Sequence, residues 1–407
     1  MRRLELVGLS VITAALVLTT GCSDDEDNKS SGVSAPSEIT KGVELNTSVT
    51  TNAMGAVLKT IINDLPDQAP ARLISKRAKQ IALSSGSSNS TITTPCEVSG
   101  SITVSNTTTE SGDRDDKPEE GWTYEQHIDI TYDNCVDNFS GVNFVGDALD
   151  EEFGNGTEQY VTYSEYNKDT NRSRDNFSSS TDYSIVQRSS TTEATVTRTF
   201  QDNFSGEMVT DGMNFGADDV NTSTNWTESG KSEFYHTDVN GNRVPGIGTR
   251  DESDLHATSQ HIYTTAKSTS TLYINGFVAS YETNSTGEHL IEGEYYNNYN
   301  IESIKIGDEE EITVSGTIGG SCLGGSVTVS VNPVIKSNDV LYPDLGPSNP
   351  ALPYAGQATL TGSNTATVTF SVDSSDNTKT QATVKVNETQ SVFTDWNTLA
   401  TGKCMHN

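Results

Sequence analysis

"STSTLYINGFVASYET" at residues 268–283 leads, after a short polar break, into "HLIEGEYYNNYNIESIKI" at 289–306. Within each stretch, apolar or aromatic side chains alternate with polar ones. In an extended chain, successive side chains point to opposite faces, so a period of two sorts residues onto the two faces of a sheet. Thr, Ser, Tyr and Val dominate, as suits a pleated surface half open to water. The same period recurs in "YEQHIDITY" (124–132), "EQYVTYSEY" (158–166), "ATVTRTF" (194–200) and "EITVSGTI" (311–318). Turn-rich segments such as "DVNGNRVPG" (238–246) separate these runs, and Asn240-Gly241 predicts a hairpin turn. No helical period interrupts them, so neighbouring strands pair antiparallel. The expected fold is mainly β: a long antiparallel β-meander, an extended or curved sheet. It fills 85–320 and continues as a C-terminal β module of the same sheet over 321–407. The proline run at 332–357 reads as an excursion between two strands of that module.

A short N-terminal helical segment is expected over 49–84. Met54, Val57, Leu58, Ile61, Ile62 and Leu65 recur at helical spacing as one apolar stripe, and Pro66 closes it. A second helix is predicted over 72–83. There Arg72, Lys76, Arg77 and Lys79 form a dense basic cluster, whose alternatives are contact with anionic lipid and neutralisation of an acidic sheet.

Only 32% of the residues are hydrophobic, which predicts a thin sheet rather than one thick core. The formal net charge is −31. Such a balance repels phosphates and argues against nucleic acid as a partner.

The chain starts with Met1-Arg2-Arg3, an apolar run from Leu6 to Leu18, and Thr19-Thr20-Gly21-Cys22. Residues 1–21 read as a secretion signal, since the apolar run is too short to span a bilayer. The acidic, then Ser/Gly-rich stretch that follows reads as a flexible tether over 22–48.

Five cysteines are present. Setting Cys22 aside leaves Cys96, Cys135, Cys322 and Cys404, an even set in an exported chain, where disulfides persist. An internal echo selects the pairing. "CEVSGSITVS" (96–105) and "CLGGSVTVS" (322–330) open alike, and each is followed by a later cysteine, closing "HIDITYDNC" (127–135) and "DWNTLATGKC" (395–404). The expected bridges are Cys96–Cys135 and Cys322–Cys404. Zinc would want close cysteine pairs, and no two of these lie closer than 96 and 135. A smaller echo, "DNFSG" at 137–141 and 202–206 with "DNFSS" at 175–179, suits strand-turn pieces recurring in a meander.

The small-Gly-Cys ending at Cys22 resembles the lipobox of bacterial lipoproteins, with Thr19 where the commonest pattern has Leu. The resemblance implies cleavage before Cys22 and a diacylglycerol on its sulfur. That would anchor the chain to a membrane, and Ser23 leans towards the outer membrane. Lipobox, tether, helix, Cys-opened strands and the "ITYDNC" closing (130–135) together resemble uncharacterised lipoproteins of Gram-negative bacteria. That group implies a Cys-stapled β-meander and no established activity.

Catalytic constellations are missing from the sequence. His127, His236, His256, His261, His289 and His406 form no H-E-x-x-H, and there is no nucleophile elbow or phosphate-binding glycine loop. The runs Asp150-Glu151-Glu152 and Glu309-Glu310-Glu311 fall in polar segments where solvated carboxylates are the default. Asp238, Asn240 and Asn242 imitate the first ligands of a calcium loop, but Arg243 and Thr249 stand where Gly and Glu are required. Adventitious Ca²⁺ is expected at most, at 146–156 or 215–221, with no metal or cofactor otherwise. The expectation is a lipid-anchored, non-catalytic envelope protein with a structural, adhesive or binding role towards an envelope protein, glycan or lipid. A carrier of an apolar envelope molecule is the alternative; it needs one continuous apolar face. An envelope hydrolase is the second alternative; it needs a buried carboxylate or histidine cluster in a cleft.

Overall fold

The computed structural model describes residues 34–62, 89–111, 122–167, 172–211, 220–264, 267–284, 286–338, 340–343, 352–395 and 399. Two helices, α1 (Ser37–Thr40) and α2 (Thr47–Ile62), precede seventeen strands among these residues. The first ten are β1 (Ser90–Pro95), β2 (Ser99–Ser111), β3 (Trp122–Val142), β4 (Ala148–Asn167), β5 (Arg172–Arg188), β6 (Thr195–Asp211), β7 (Val220–Thr237), β8 (Arg243–Tyr263), β9 (Ser268–Asn284) and β10 (Gly287–Ile306). Shorter ones follow: β11 (Glu309–Gly320), β12 (Gly325–Val331), β13 (Ile335–Asn338), β14 (Gly356–Thr361), β15 (Thr365–Asp373), β16 (Asp376–Val386) and β17 (Thr389–Phe393).

The strand ladders are antiparallel, and from β1 to β11 each strand pairs with the next in sequence. β12 and β13 act as one strand interrupted at Asn332-Pro333: both pair with β11, and β12 pairs with β14 on its other side. The meander then runs on to β17. The predicted long meander is therefore the fold. Its turn at Asn240-Gly241 joins β7 to β8, and the proline-rich excursion returns the chain to β14.

Strand length divides the sheet. β3 to β10 have 17–21 residues each, so at about 3.3 Å per residue they stand roughly 55–70 Å tall. β11 to β17 have 4–12 residues.

The registers place one set of alternate residues on a common inner face through both halves. In the short half this face is apolar: Val314, Val329, Leu360, Val368, Phe370 and Val384 belong to one buried cluster, which Ile274 of β9 and Ile301 of β10 join. α2 lies on it, burying Ala53, Met54, Val57 and Leu58. The predicted apolar stripe thus has its partner, at roughly 1.5–3 kcal/mol per large side chain buried. Asn46 caps the helix, its Oδ1 accepting the Val49 N–H at 3.0 Å. Ile61 and Ile62 lie in the last turn of α2, while Leu65, Pro66 and the predicted second helix fall outside the described residues.

The tether is shorter than expected. Residues 34–46, assigned by composition to a flexible segment, are docked against the sheet. Ile39 is fully buried against Phe277 and Ala279 on the outer face. The chain then crosses the end of the sheet beside the β11–β12 turn. Val43 N–H donates to Ser326 O at 3.0 Å, and Ser326 N–H donates to Lys41 O at 2.8 Å. Close approach is possible because Gly319 has no side chain; a Cβ there would lie 2.1 Å from Ile39 O. Apolar Ile39, Val43 and Leu45 explain the docking, which average composition over the segment concealed.

Cys96 and Cys135 are bonded, with Cα atoms 5.5 Å apart, as the echo predicted. Cys322 is also disulfide-bonded. Its expected partner Cys404, like Cys22, lies outside the described residues.

Candidate functional site

Among the described residues, the tall half carries no helix over β4 to β8 on its inner face. Instead its sheet curls, so that residues from seven successive strands, β4 to β10, line one cleft of about 560 Å³. The register builds it directly. Glu158 pairs with Thr181, Thr181 with Asp202, Asp202 with Gly230, Gly230 with Ser253, and Ser253 with Val278, which is opposite Glu294. One row nearer the β3–β4 turn, Tyr183, Phe200, Asp251 and Glu292 occupy the same face.

Rings form one wall. Tyr132 and Tyr183 both pair with Gly156, and their rings meet at 4.3 Å between centroids beside Gly154, where a Cβ would lie 3.4 Å from the Tyr183 hydroxyl and 3.6 Å from the Tyr132 ring. Tyr183 stacks on Phe200 at 6.4 Å. The Tyr183 phenol is pushed up by burial first, then by the charges of Glu158, Glu152 and Asp137.

Carboxylates form much of the rest: Glu158, Asp202, Glu228, Asp251, Glu252, Glu292 and Glu294, of which Glu252 is paired with Arg250. Glu158 is buried, accepting the Tyr132 hydroxyl at 2.8 Å and the Tyr160 hydroxyl at 2.7 Å, one on each oxygen. Glu228 accepts the Ser253 hydroxyl at 3.2 Å, and Glu294 that of Tyr296 at 3.3 Å. No Lys, Arg or His is among the described lining residues. Nor do three ligand atoms of Asp, Glu, His or Cys there come within 4.8 Å of one another, as a compact metal site requires. That spacing occurs, among the described residues, only at Cys96, Cys135 and Asp137, where the two sulfurs are bonded to each other.

The residues singled out from sequence do not meet in this cleft. Glu151 pairs with Arg188 at 2.9 Å, and Asp150 accepts the Ser190 N–H and hydroxyl, which hold its carboxyl below the usual range. Glu309 accepts the Tyr354 hydroxyl and the Asn338 amide; Glu311 pairs with Lys336. These carboxylates tie strands together. Asp238 accepts the N–H groups of Asn240 and Asn242, both at 2.9 Å, so its oxygens cap the hairpin turn.

The described histidines are dispersed. His127 meets Glu125, His256 meets Asn225, His261 meets Ser270, and His289 meets Thr286. His236 is the most enclosed: its Nδ1 accepts the Phe144 N–H at 3.1 Å, and its ring packs edge-on to Phe234. Burial, then Arg198, holds it below its ordinary pKa.

Sequence reasoning missed the cleft. Its signal was present as acidic residues at inward positions of strands whose other inward residues are aromatic or small. Reading it required the register across seven strands. Comparison with protein-family models, with curated proteins and with solved structures finds no match for this chain.

Proposed function

We propose that this chain is a non-catalytic binding protein of the bacterial cell envelope, held at the outer membrane by lipid on Cys22, and that its inner cleft takes an aliphatic polyamine. The observation that carries the reading is the lining: seven carboxylates with aromatic rings and no basic residue among the described lining residues. A cleft of one charge sign between low-dielectric walls concentrates the opposite charge. Aromatic faces add cation–π attraction of about 0.5–2 kcal/mol per contact. The carboxylates are spread over five strands, β4, β6, β7, β8 and β10, with adjacent strands about 4.8 Å apart, rather than converging on a point. That favours several ammonium groups along a chain over one divalent ion.

Calorimetric titration of the full chain with a linear triamine tests it. Saturable binding that weakens with salt, and at least tenfold in Asp202→Asn/Glu228→Gln, is expected. No binding, or equal binding in the variant, overturns the ligand. The anchor is checked separately, by the mass of Cys22 in chain extracted from the envelope.

A hydrolase is the second reading, because a buried carboxylate does lie in a cleft. Both Glu158 oxygens accept a phenol hydrogen bond, so a reacting proton would have to share an oxygen with Tyr132 or Tyr160. Turnover of a glycoside or ester that Glu158→Gln abolishes would establish it. The carrier reading is weaker, since α2 already covers the continuous apolar face.

A further inference from the structure

We infer that the end of the sheet carrying the β3–β4 turn rests on the surface of a lipid bilayer. Val142, Phe144 and Val145 crowd this one turn at 67%, 70% and 54% exposure. Val239, in the β7–β8 turn beside it, and Val98, in the β1–β2 turn, are also exposed and lie at the same end of the strands. Isolated exposed valines need no explanation; a cluster on one tip does.

The turn is held, not loose. Asn143 Oδ1 accepts the N–H groups of Val145 at 3.1 Å and Asp147 at 2.8 Å, while its amide donates to Asp147 and to Thr237 O. The Phe144 N–H is fixed on His236. Polar bonding on the inside thus presents the Phe144 and Val145 side chains outward, at little ordering cost on insertion.

The occupant follows from where the chain leaves the sheet. Residues 39–43 cross beside the β11–β12 turn, and Ala35 packs with Tyr281 and Leu290 near the β9–β10 turn. Strand directions put both turns at the same end as Phe144. Only twelve residue steps separate Ser34 from Cys22, a reach of at most about 40 Å. An anchor at Cys22 therefore brings a bilayer to this end and not to the opposite one. The inference leans on the Cys22 reading for that proximity. Asp147 and Asp238 flank the tip and the chain carries −31, so the fitting surface is zwitterionic, not anionic. Standing so, the tall strands run away from the membrane and hold the cleft clear of it.

The test joins the full chain through Cys22 to a maleimide-bearing lipid in phosphatidylcholine vesicles, which supplies the tether whether or not cells lipidate Cys22. Phe144→Trp is compared with Ile306→Trp, a residue 60% exposed at the far end of β10. Acyl-brominated lipid is expected to quench and blue-shift the added emission of Phe144→Trp alone, and replacing phosphatidylcholine by phosphatidylglycerol is expected to reduce the effect. Quenching of both, of neither, or of Ile306→Trp alone overturns the inference; loss at Phe144 leaves the tip to a protein partner. Lipidation is decided by the mass of Cys22, so the two readings fail independently.

Discussion

The two halves of this sheet share one topology and hold themselves differently. From β11 to β16, and at the ends of β9 and β10 farthest from the β9–β10 turn, the inner face is mainly Ile, Val, Leu and Phe, closed by α2 into a two-layer core. From β2 to β8 most residues are only half-buried, and on β4 Asn155, Thr157 and Gln159 stand exposed while Gly154 and Glu158, on the other face, are buried. The tall half rests on ladder hydrogen bonds, small clusters such as that around Cys96, Ile102, Val104 and Ile130, ring stacking, and one disulfide. Antiparallel pairing therefore supplies a frame that composition then specialises. Apolar residues placed inward make a core, and carboxylates and rings placed inward make a cleft.

The sharpest contrast is expected at Val57, which is fully buried between α2 and the sheet. Val57→Asp sets an unpaired charge there and should remove more than about 4 kcal/mol, detaching α2 in hydrogen exchange. A midpoint of chemical denaturation unchanged from wild type would show that the short half does not depend on this core. Next, Cys96→Ser/Cys135→Ser opens a loop of sequence separation 39 and should lower stability by about 4 kcal/mol. The loss should appear as faster exchange in β2 and β3, with β14 to β16 protected; uniform loss would mean that the halves unfold as one. Tyr183→Ala removes two ring contacts and should cost about 1–3 kcal/mol, well below the first substitution. An equal cost would erase the distinction between core and cleft.

The smallest effect is in pH. Because His236 is held below its ordinary 6.5, the unfolded chain takes the proton first as pH falls. Its contribution is complete above 6.5 and is lost progressively below that value. Carboxylates add their own acid loss, so the readout is comparative: the fall in melting temperature from pH 7 to pH 5 should be smaller in His236→Gln than in wild type.

Much of the fold was legible in local pattern. The alternation at 268–306 and its repeats named strands, Asn240-Gly241 named a turn, and the stripe from Met54 to Leu58 named a helix with one wet side. The echo of two cysteine-opened strands named the Cys96–Cys135 bridge. The docked path of residues 34–46 was not legible, because Ile39, Val43 and Leu45 are too sparse to mark a segment until their partners Phe277 and Ser326 are known. The acidic runs drew attention for their density, yet they bond across strands, while the cleft carboxylates stood singly in the sequence.

What the amino-acid sequence determined alone is periodicity: which residues share a face, where strands turn, and how little oil is available. Those properties are local, set by the geometry of an extended chain within a few residues. Only the tertiary structure decided that the face curls in one half and is capped in the other. Register and curvature are sums over many strands, and a single carboxylate becomes part of a site only when six others are laid beside it.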